Sequence, residues 1–275
     1  MHSFLLIYVD DIIVTGNSTA AITQLINSLK QSFTLKDLGP LHYFLGIHVQ
    51  HQSRGLHLSQ TKYISNLLDR VHMTGAKPAK TPLPARSQLS KDVSDPLKNA
   101  YEYRTLVGAL QYCTLTRPDI SFAVNQLYQF MHSPTTAYWT TTKRVLRYLK
   151  GSINQGLQFG KGTLHLNAYS DSDWAGNPND RRSTTGFAIF LGPCLISWCA
   201  KKQPVVSKSS TEAEYRSLAF ATAELCWLRM LFKDLSLFLH APPTLWCDNL
   251  GALALASNPV YHARTKHIEV DYHFI

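Results

Sequence analysis

Residues 164–171 read Leu-His-Leu-Asn-Ala-Tyr-Ser-Asp. Alternation of apolar and polar residues over that length is the pattern of a half-buried strand, and this one ends on an acid, Asp171. Working outward from it fixes the layout of the second half of the chain. The first strand covers 163–170. The apolar stretch 183–200 is interrupted by Gly186, Gly192 and Pro193, which predicts a hairpin with strands at 185–191 and 194–199. An Ala-rich helix then spans Thr211 to Leu239, followed by a short strand, Leu245 to Cys247, a short helix near 249–256 and a helix-like run over 266–275. Three strands, helix, strand, helix is an α/β or α+β arrangement.

Four carboxylates fall at the ends of these elements. Asp171 ends the first strand and Asp248 follows the short one. Glu214 sits in the first turn of the long helix, on the face of Leu218, Ala221 and Leu225. Asp271 lies in the last helical run, with His267 one turn before it. Buried carboxylates are costly unless paired or metal-bound, so a convergent set predicts a site for two magnesium ions, with manganese as the alternative. Each also has an ordinary reading. Asp171 and Asp248 open turns, and Glu214 forms a capping box with Thr211. Asp173 competes with Asp171 for its role. Glu212, about 200° around the helix from Glu214, is expected to face solvent. A zinc site from Cys247, His262, His267 and His273 matches no closed zinc motif.

The first half is organised differently. Residues 4–16, FLLIYVDDIIVTG, predict a buried β-hairpin with Asp10 and Asp11 at its tip. Helical spacing covers 19–32 after Asn17-Ser18. A strand is predicted from His42 to Gln50, a return strand at Leu56–Leu58, and a helix capped by Ser59 running to about residue 71. Residues 74–100 hold Pro78, Pro82, Pro84 and Pro96 and predict an irregular or mobile segment. Helices follow at 101–116, 119–132 and 135–150. The Gly/Ser/Asn-rich stretch 151–156 marks a domain boundary.

Charge is confined. The chain carries a net +9, and residues 51–150 alone hold 14 basic and 5 acidic groups, the whole excess. Such a localised balance points to an anionic partner. Lys143, Arg147 and Lys150 share a helix face, with Arg144 beside them and Tyr138 and Trp139 just before. Phosphate tracking with aromatic stacking is the functional reading, and a solvated helix face the plain one. Arg70, Arg104 and Arg117 are candidates to extend that track. Arg181, Arg182, Lys201, Lys202 and Lys208 form a second basic group. Five cysteines with no Cys-x-x-Cys pair suit a reducing compartment and no disulfide framework. The run Phe4–Val9 is too short for a membrane span or signal peptide.

Several runs resemble copia-type retrotransposon polyproteins of the plant kind. YVDDIIVTG with FTLKDLGPLHYFLGIHV resembles the end of a reverse transcriptase palm; LSQTKYISNLL, KPAKTPLP, YRTLVGALQYCTLTRPDISFAVNQLYQFM and KRVLRYLKG continue the likeness. AYSDSDWAG, RRSTTGFAIFLG, WCDNLGALALA and HARTKHIEVDYHFI resemble the ribonuclease H part. The resemblance implies a remnant palm with the start of the thumb over 1–72 and a basic, mostly helical thumb and connection over 73–156. It implies a mixed-sheet ribonuclease H domain over 157–275, short at its C-terminal helix. Asp10 and Asp11 would be polymerase carboxylates and Phe44–Ile47 the primer-gripping turn. Asp171, Glu214, Asp248 and Asp271 would be the ribonuclease H metal ligands and His267 its proton shuttle or product-release residue. The implied reaction is magnesium-dependent hydrolysis of RNA in an RNA–DNA hybrid. No polymerase activity is expected from this chain alone, because the family's third palm carboxylate has no counterpart before Asp10. A non-catalytic binding remnant or degenerate relic is the alternative. Implied partners are the hybrid or other nucleic acid and other parts of the polyprotein, with no membrane, in an intracellular setting such as a cytoplasmic particle or the nucleus.

Overall fold

The computed structural model describes residues 2–84 and 94–257, a mixed α/β arrangement built on three sheets. The first is a hairpin of β1 (Ser3–Tyr8) and β2 (Asp11–Gly16), closed by a turn at Val9-Asp10. Val9 takes φ 50, the left-handed sense that two-residue hairpin turns require but β-branched residues resist. Helix α1 (Thr19–Ser32) follows, with Ser18 Oγ accepting from the Ala21 N–H at 3.4 Å. The hairpin is not buried as its sequence predicts. It forms a sheet of its own with α1 against it, and Leu6, Ile7 and Val9 remain 54%, 61% and 80% exposed.

The second sheet runs β3 (Tyr43–Phe44), β4 (Ile47–Gln52), β5 (Gly55–Ser59), β6 (Leu157–Gly160), all antiparallel. The single strand expected over 42–50 is therefore two, folded back at Leu45-Gly46. Both turn residues have positive φ, 45 and 74, as a tight hairpin demands. The Tyr112 hydroxyl donates to the Leu45 carbonyl, and a Cβ on Gly46 would meet that hydroxyl at 3.2 Å, so glycine also makes room for the ring. Helix α2 (Thr61–Arg70) begins after Gln60, not Ser59. Gln60 is fully buried and reaches away from the helix. Its Nε2 donates to the Tyr112 carbonyl at 3.2 Å, and its Oε1 accepts from Thr116 Oγ1 at 2.9 Å.

Of helices α3 (Ala100–Cys113), α4 (Ser121–Tyr128) and α5 (Thr136–Gly151), α3 and α5 come within three residues of the predicted spans, whereas α4 is much shorter than the 119–132 expected. A short 3-10 turn, Pro118–Ile120, lies between α3 and α4. With α2 they enclose a core of Ile64, Leu67, Leu106, Leu110, Leu127 and Leu146, among others. After 151–156 the chain adds β6 to the edge of β5 before entering the third sheet, so the strand just past the expected boundary belongs to the second sheet.

The third sheet has the order β10 (Thr244–Trp246), β7 (Leu166–Asp173), β8 (Thr184–Leu191), β9 (Cys194–Lys202). Strands β7, β8 and β9 form an antiparallel meander; β10 returns parallel to β7. The connection that permits this is α6 (Ser210–Asp234), and α7 (Leu250–Ser257) follows β10. Leu166, Ala168 and Ile189 of the sheet pack against Leu225 and Leu228 of α6. Helix α6 stops at Asp234, short of the expected Leu239. Ser236 turns left-handed at φ 56, donating its N–H to the Lys233 carbonyl, and the Leu237 N–H closes on the Phe232 carbonyl at 2.8 Å. That is a Schellman ending made without glycine. Among the described residues no helix is long and apolar enough to cross a membrane.

Candidate functional site

The parallel return of β10 beside β7 brings the two strand ends together, and the first turn of α6 lies over them. Along β7, Leu166, Ala168, Ser170 and Ser172 are buried while Asp171 is exposed, as alternation requires. Ser217 of α6 donates its hydroxyl to the Asp171 carbonyl at 2.7 Å, tying helix to strand where the acid sits. Glu214, one turn earlier, is only 6% exposed. Its Oε1 accepts from the Ser172 N–H at 3.1 Å; its buried Oε2 receives no hydrogen bond from the described residues.

Asp248 follows β10 and is exposed. Ligand atoms of Glu214, Cys247 and Asp248 all lie within 4.8 Å of one another. Burial first, then the charges of Asp171 and Asp248 and the carboxyl–carboxyl contact with Asp171, push the Glu214 carboxyl up to about 7 against the Ser172 hydrogen bond. Asp171 and Asp248 thus both act on Glu214, whose Oε2 is buried and bare, although the Cys247 thiol and not Asp171 completes the group of mutually close ligand atoms; extra negative charge around a buried carboxylate favours a cation. The hard oxygen donors suit magnesium or manganese. Asp171, Glu214 and Asp248 are the residues that would hold it. Asp271 and His267 lie outside the described residues, as do His262 and His273.

The two neighbouring acids are engaged elsewhere. Asp173 accepts from the Thr184 N–H, which turns it onto β8; burial raises its pKa, with the Asp171 charge adding to this. Glu212 does not face solvent. At 6% exposure it folds back over the helix start, accepting from the Lys208 N–H at 2.8 Å and from Arg216 at 2.9 Å. The cap itself is Ser209, whose Oγ accepts from the Glu212 N–H at 3.2 Å. The capping pair is therefore Ser209 and Glu212, which releases Glu214 from the cap its sequence spacing suggested.

Sequence reasoning passed over Gln203. It is 1% exposed, and its Nε2 lies 3.0 to 3.3 Å from Ser172 Oγ, Thr185 Oγ1 and the Ala213 carbonyl, while its Oε1 accepts from Ser207. It joins β7, β8 and α6 directly behind Glu214. A glutamine at a strand end carries no periodic signal, so nothing in the sequence marks it.

Asp10 and Asp11 sit at the tip of the separate hairpin, both exposed, and join no group of three or more potential ligands among the described residues. The basic face of α5 is drawn into contact with residues 76–81. Arg144 donates to Thr81 Oγ1 at 2.9 Å, Arg147 to the Lys77 carbonyl at 2.6 Å, and Lys150 to the Ala76 carbonyl at 2.7 Å. Lys143 lies over the Trp139 ring, 5.1 Å from its centroid. That face is thus neither free nor simply solvated. Arg117 cannot extend a phosphate track, since it is 1% exposed and bound to Asp119 and Ser152. In the second basic group, Lys202 pairs with Asp180 at 2.7 Å and Arg182 with the same acid at 3.7 Å. Arg181 and Lys201 are exposed. Lys201 borders a cleft of about 430 Å³ between α3, α4 and β9, across which Trp198 Nε1 donates to the Thr114 carbonyl at 3.2 Å.

Residues 3–85 match the reverse transcriptase (RNA-dependent DNA polymerase) family. The chain is 49% identical over 273 residues to the retrovirus-related Pol polyprotein from transposon RE2 of Arabidopsis thaliana, covering 99% of this chain and 19% of that protein. It is 39% identical over 280 residues to the Pol polyprotein from transposon TNT 1-94 of Nicotiana tabacum, covering 98% and 21%. It is also 52% identical over 225 residues to an uncharacterized mitochondrial protein of Arabidopsis thaliana, covering 82% of this chain and 93% of that one. The chain thus spans about a fifth of the length of the polyproteins it matches.

Proposed function

The chain belongs to the copia-type retrotransposon polyproteins of plants, and from that premise we propose that its region from β7 onward hydrolyses the RNA strand of an RNA–DNA hybrid with magnesium. The observation that carries the reading is Glu214 set beside Asp248, with the Asp171 carboxylate close enough to act on it, and a buried Glu214 oxygen that no donor among the described residues satisfies. The sheet order supports a ribonuclease H-like arrangement, with a three-stranded meander and a fourth strand returned in parallel through α6.

Bound magnesium would supply the charge that activates a water and stabilises the leaving oxygen of a phosphodiester. The protein's own groups do the positioning. The Ser172 N–H fixes one oxygen of Glu214 and leaves the other for the ion. Asp171 and Asp248 are exposed, so a hybrid lying across the strand ends can approach them. Thr184 holds Asp173 out of the cluster, and Ser217 anchors the backbone at Asp171. Asp271 completes the ligand set in this proposal, and His267 assists proton transfer or product release. Lys201 and Arg181 are proposed to meet the hybrid backbone, with Lys143, Arg144, Arg147, Lys150 and Lys202 adding positive charge from their engaged positions. Polymerisation by this chain alone is not part of the proposal.

The test is cleavage of a labelled RNA–DNA hybrid by the full chain, with magnesium and with EDTA, beside Asp248→Asn. Magnesium-dependent cleavage that the variant loses supports the reading; no cleavage by a chain that unfolds cooperatively overturns it. One observation favours a second reading, a non-catalytic binding remnant or relic: a separate protein similar to this chain is matched over 93% of its length without the rest of a polyprotein. Cooperative unfolding with hybrid binding and no cleavage would select the remnant, and no cooperative unfolding the relic.

A further inference from the structure

The cluster contains a donor that magnesium does not need. Cys247 ends the run Leu245-Trp246-Cys247 immediately before Asp248, and its thiol lies within 4.8 Å of carboxylate oxygens of both Glu214 and Asp248. The sulfur accepts from the Asn249 N–H at 3.4 Å, which points it into the cluster's own turn. Glu214 is 94% buried by its 6% exposure, and the carboxylate that joins this group carries an Oε2 with no donor from the described residues.

Magnesium takes oxygen ligands in octahedral geometry, and a thiol contributes little to it. A thiophilic ion of the zinc class takes sulfur and oxygen together in a tetrahedron. Zinc–sulfur and zinc–oxygen bonds of about 2.3 and 2.1 Å require ligand atoms roughly 3.6 Å apart. Separations up to 4.8 Å close to that by side-chain rotation, chiefly of the exposed Asp248 toward the half-buried Cys247.

We propose that Cys247, Glu214 and Asp248 form a site for a thiophilic divalent ion such as zinc, which displaces magnesium and shuts the centre off. On binding, the thiol proton leaves to solvent and the fourth position is open to water. The inhibitory consequence rests on the ribonuclease reading above; the ion site itself does not.

The test titrates the full chain with cobalt(II), then with zinc, in magnesium-containing buffer. Wild type is expected to show a sulfur-to-cobalt charge-transfer band in the near ultraviolet that one equivalent of zinc abolishes. Cys247→Ser should lose the band and weaken zinc binding roughly ten-fold or more, whereas Cys226→Ser, at an exposed thiol, should keep both. Independently of any variant, zinc should protect Cys247 from iodoacetamide, read by peptide mass. A missing band, or zinc that binds wild type and Cys247→Ser equally, overturns the site. Magnesium-dependent cleavage equally sensitive to zinc in Cys247→Ser also overturns it while leaving the ribonuclease reading intact. A Cys247-dependent band in a chain without cleavage supports the site and removes only the ribonuclease reading.

Discussion

Arg117 holds Asp119 in a two-pronged clamp, Nε to Oδ1 at 3.0 Å and Nη2 to Oδ2 at 2.7 Å, two residues apart across the entry to the 3-10 turn. The same guanidinium donates to the carbonyl and hydroxyl of Ser152 and lies under the Tyr148 ring, while Tyr148 donates its own hydroxyl to Asp119. One buried cation therefore fastens the end of α5 to the α3–α4 connection. Arg117→Ala leaves Asp119 with only the Tyr148 hydroxyl and the Ser152 carbonyl without its Arg117 donor. Stability should fall by about 1–2 kcal/mol, because Asp119 is itself exposed and the loss is that of the Ser152 bonds and the packing of the buried guanidinium. Urea denaturation of the full chain measures it.

Asp119 also sets an acid limit. Burial raises its pKa, but the hydrogen bonds from Arg117 and Tyr148 and the guanidinium charge outweigh that and leave the net shift downward. A carboxyl held low when folded contributes stability above its unfolded value, near 3.8, and loses it as pH falls through the folded value. Asp119→Asn should therefore be less stable than wild type at neutral pH, with the difference shrinking below pH ~4. Unfolding curves across that range check the sign.

Glu214 behaves in the opposite sense when no ion is present. Its folded pKa, about 7, lies above the ordinary value of 4.5, so the folded chain binds the extra proton between those limits. Stability in EDTA should decline as pH rises from about 4.5 to 7 and level off beyond. Glu214→Gln should flatten that slope and abolish magnesium-dependent cleavage. If the variant keeps the slope, the carboxyl is not its source.

Gln203 should prove as important to stability as a core residue. Replacing it with Leu strands the Ser207 hydroxyl and the Ala213 carbonyl among buried neighbours, at a cost of about 2 kcal/mol. A thermal shift of several degrees downward, with the Asp171–Glu214–Asp248 chemistry retained at low temperature, is the expected outcome.

The contacts of α5 predict a proteolytic phenotype. Arg147→Ala removes the bond to the Lys77 carbonyl, so trypsin should cut after Lys80 several-fold faster than in wild type while α5 itself stays protected, the bond after Lys77 being closed to trypsin by Pro78. Equal cleavage would mean that residues 76–81 are held by their other bonds to Arg144 and Lys150.

The strands and helices that carry strong periodicity were legible in the sequence. The spans of α3 and α5, the Gly192-Pro193 hairpin and the inward face of Glu214 came directly from apolar spacing. What was not legible depends on partners distant in sequence. Glu212 looks exposed on a helical wheel, yet a helix start bends the backbone so that its carboxylate closes on Lys208. The 42–50 run looks continuous because Leu45 gives no warning of a left-handed turn; Tyr112, 67 residues away, completes that turn. The α5 cations look like a phosphate track because their charge is local, whereas the carbonyls of Ala76 and Lys77 that engage two of them lie 70 or more positions upstream. Hydropathy alone made the first hairpin a core element, but burial needs a neighbouring layer as well as apolar side chains.

The return of β6 to the edge of β5 bears on how such chains can be recombined. Leu157 to Gly160 are four residues whose register with Leu58 to Gly55 is set by the first half of the chain, although they follow its last helix. A chimera joined at residue 156 would pair β5 with a strand from the wrong parent. A seam placed between Gly160 and Leu166 keeps each sheet whole, which makes those few loop residues the natural crossover point for exchanging the carboxylate-bearing half between relatives.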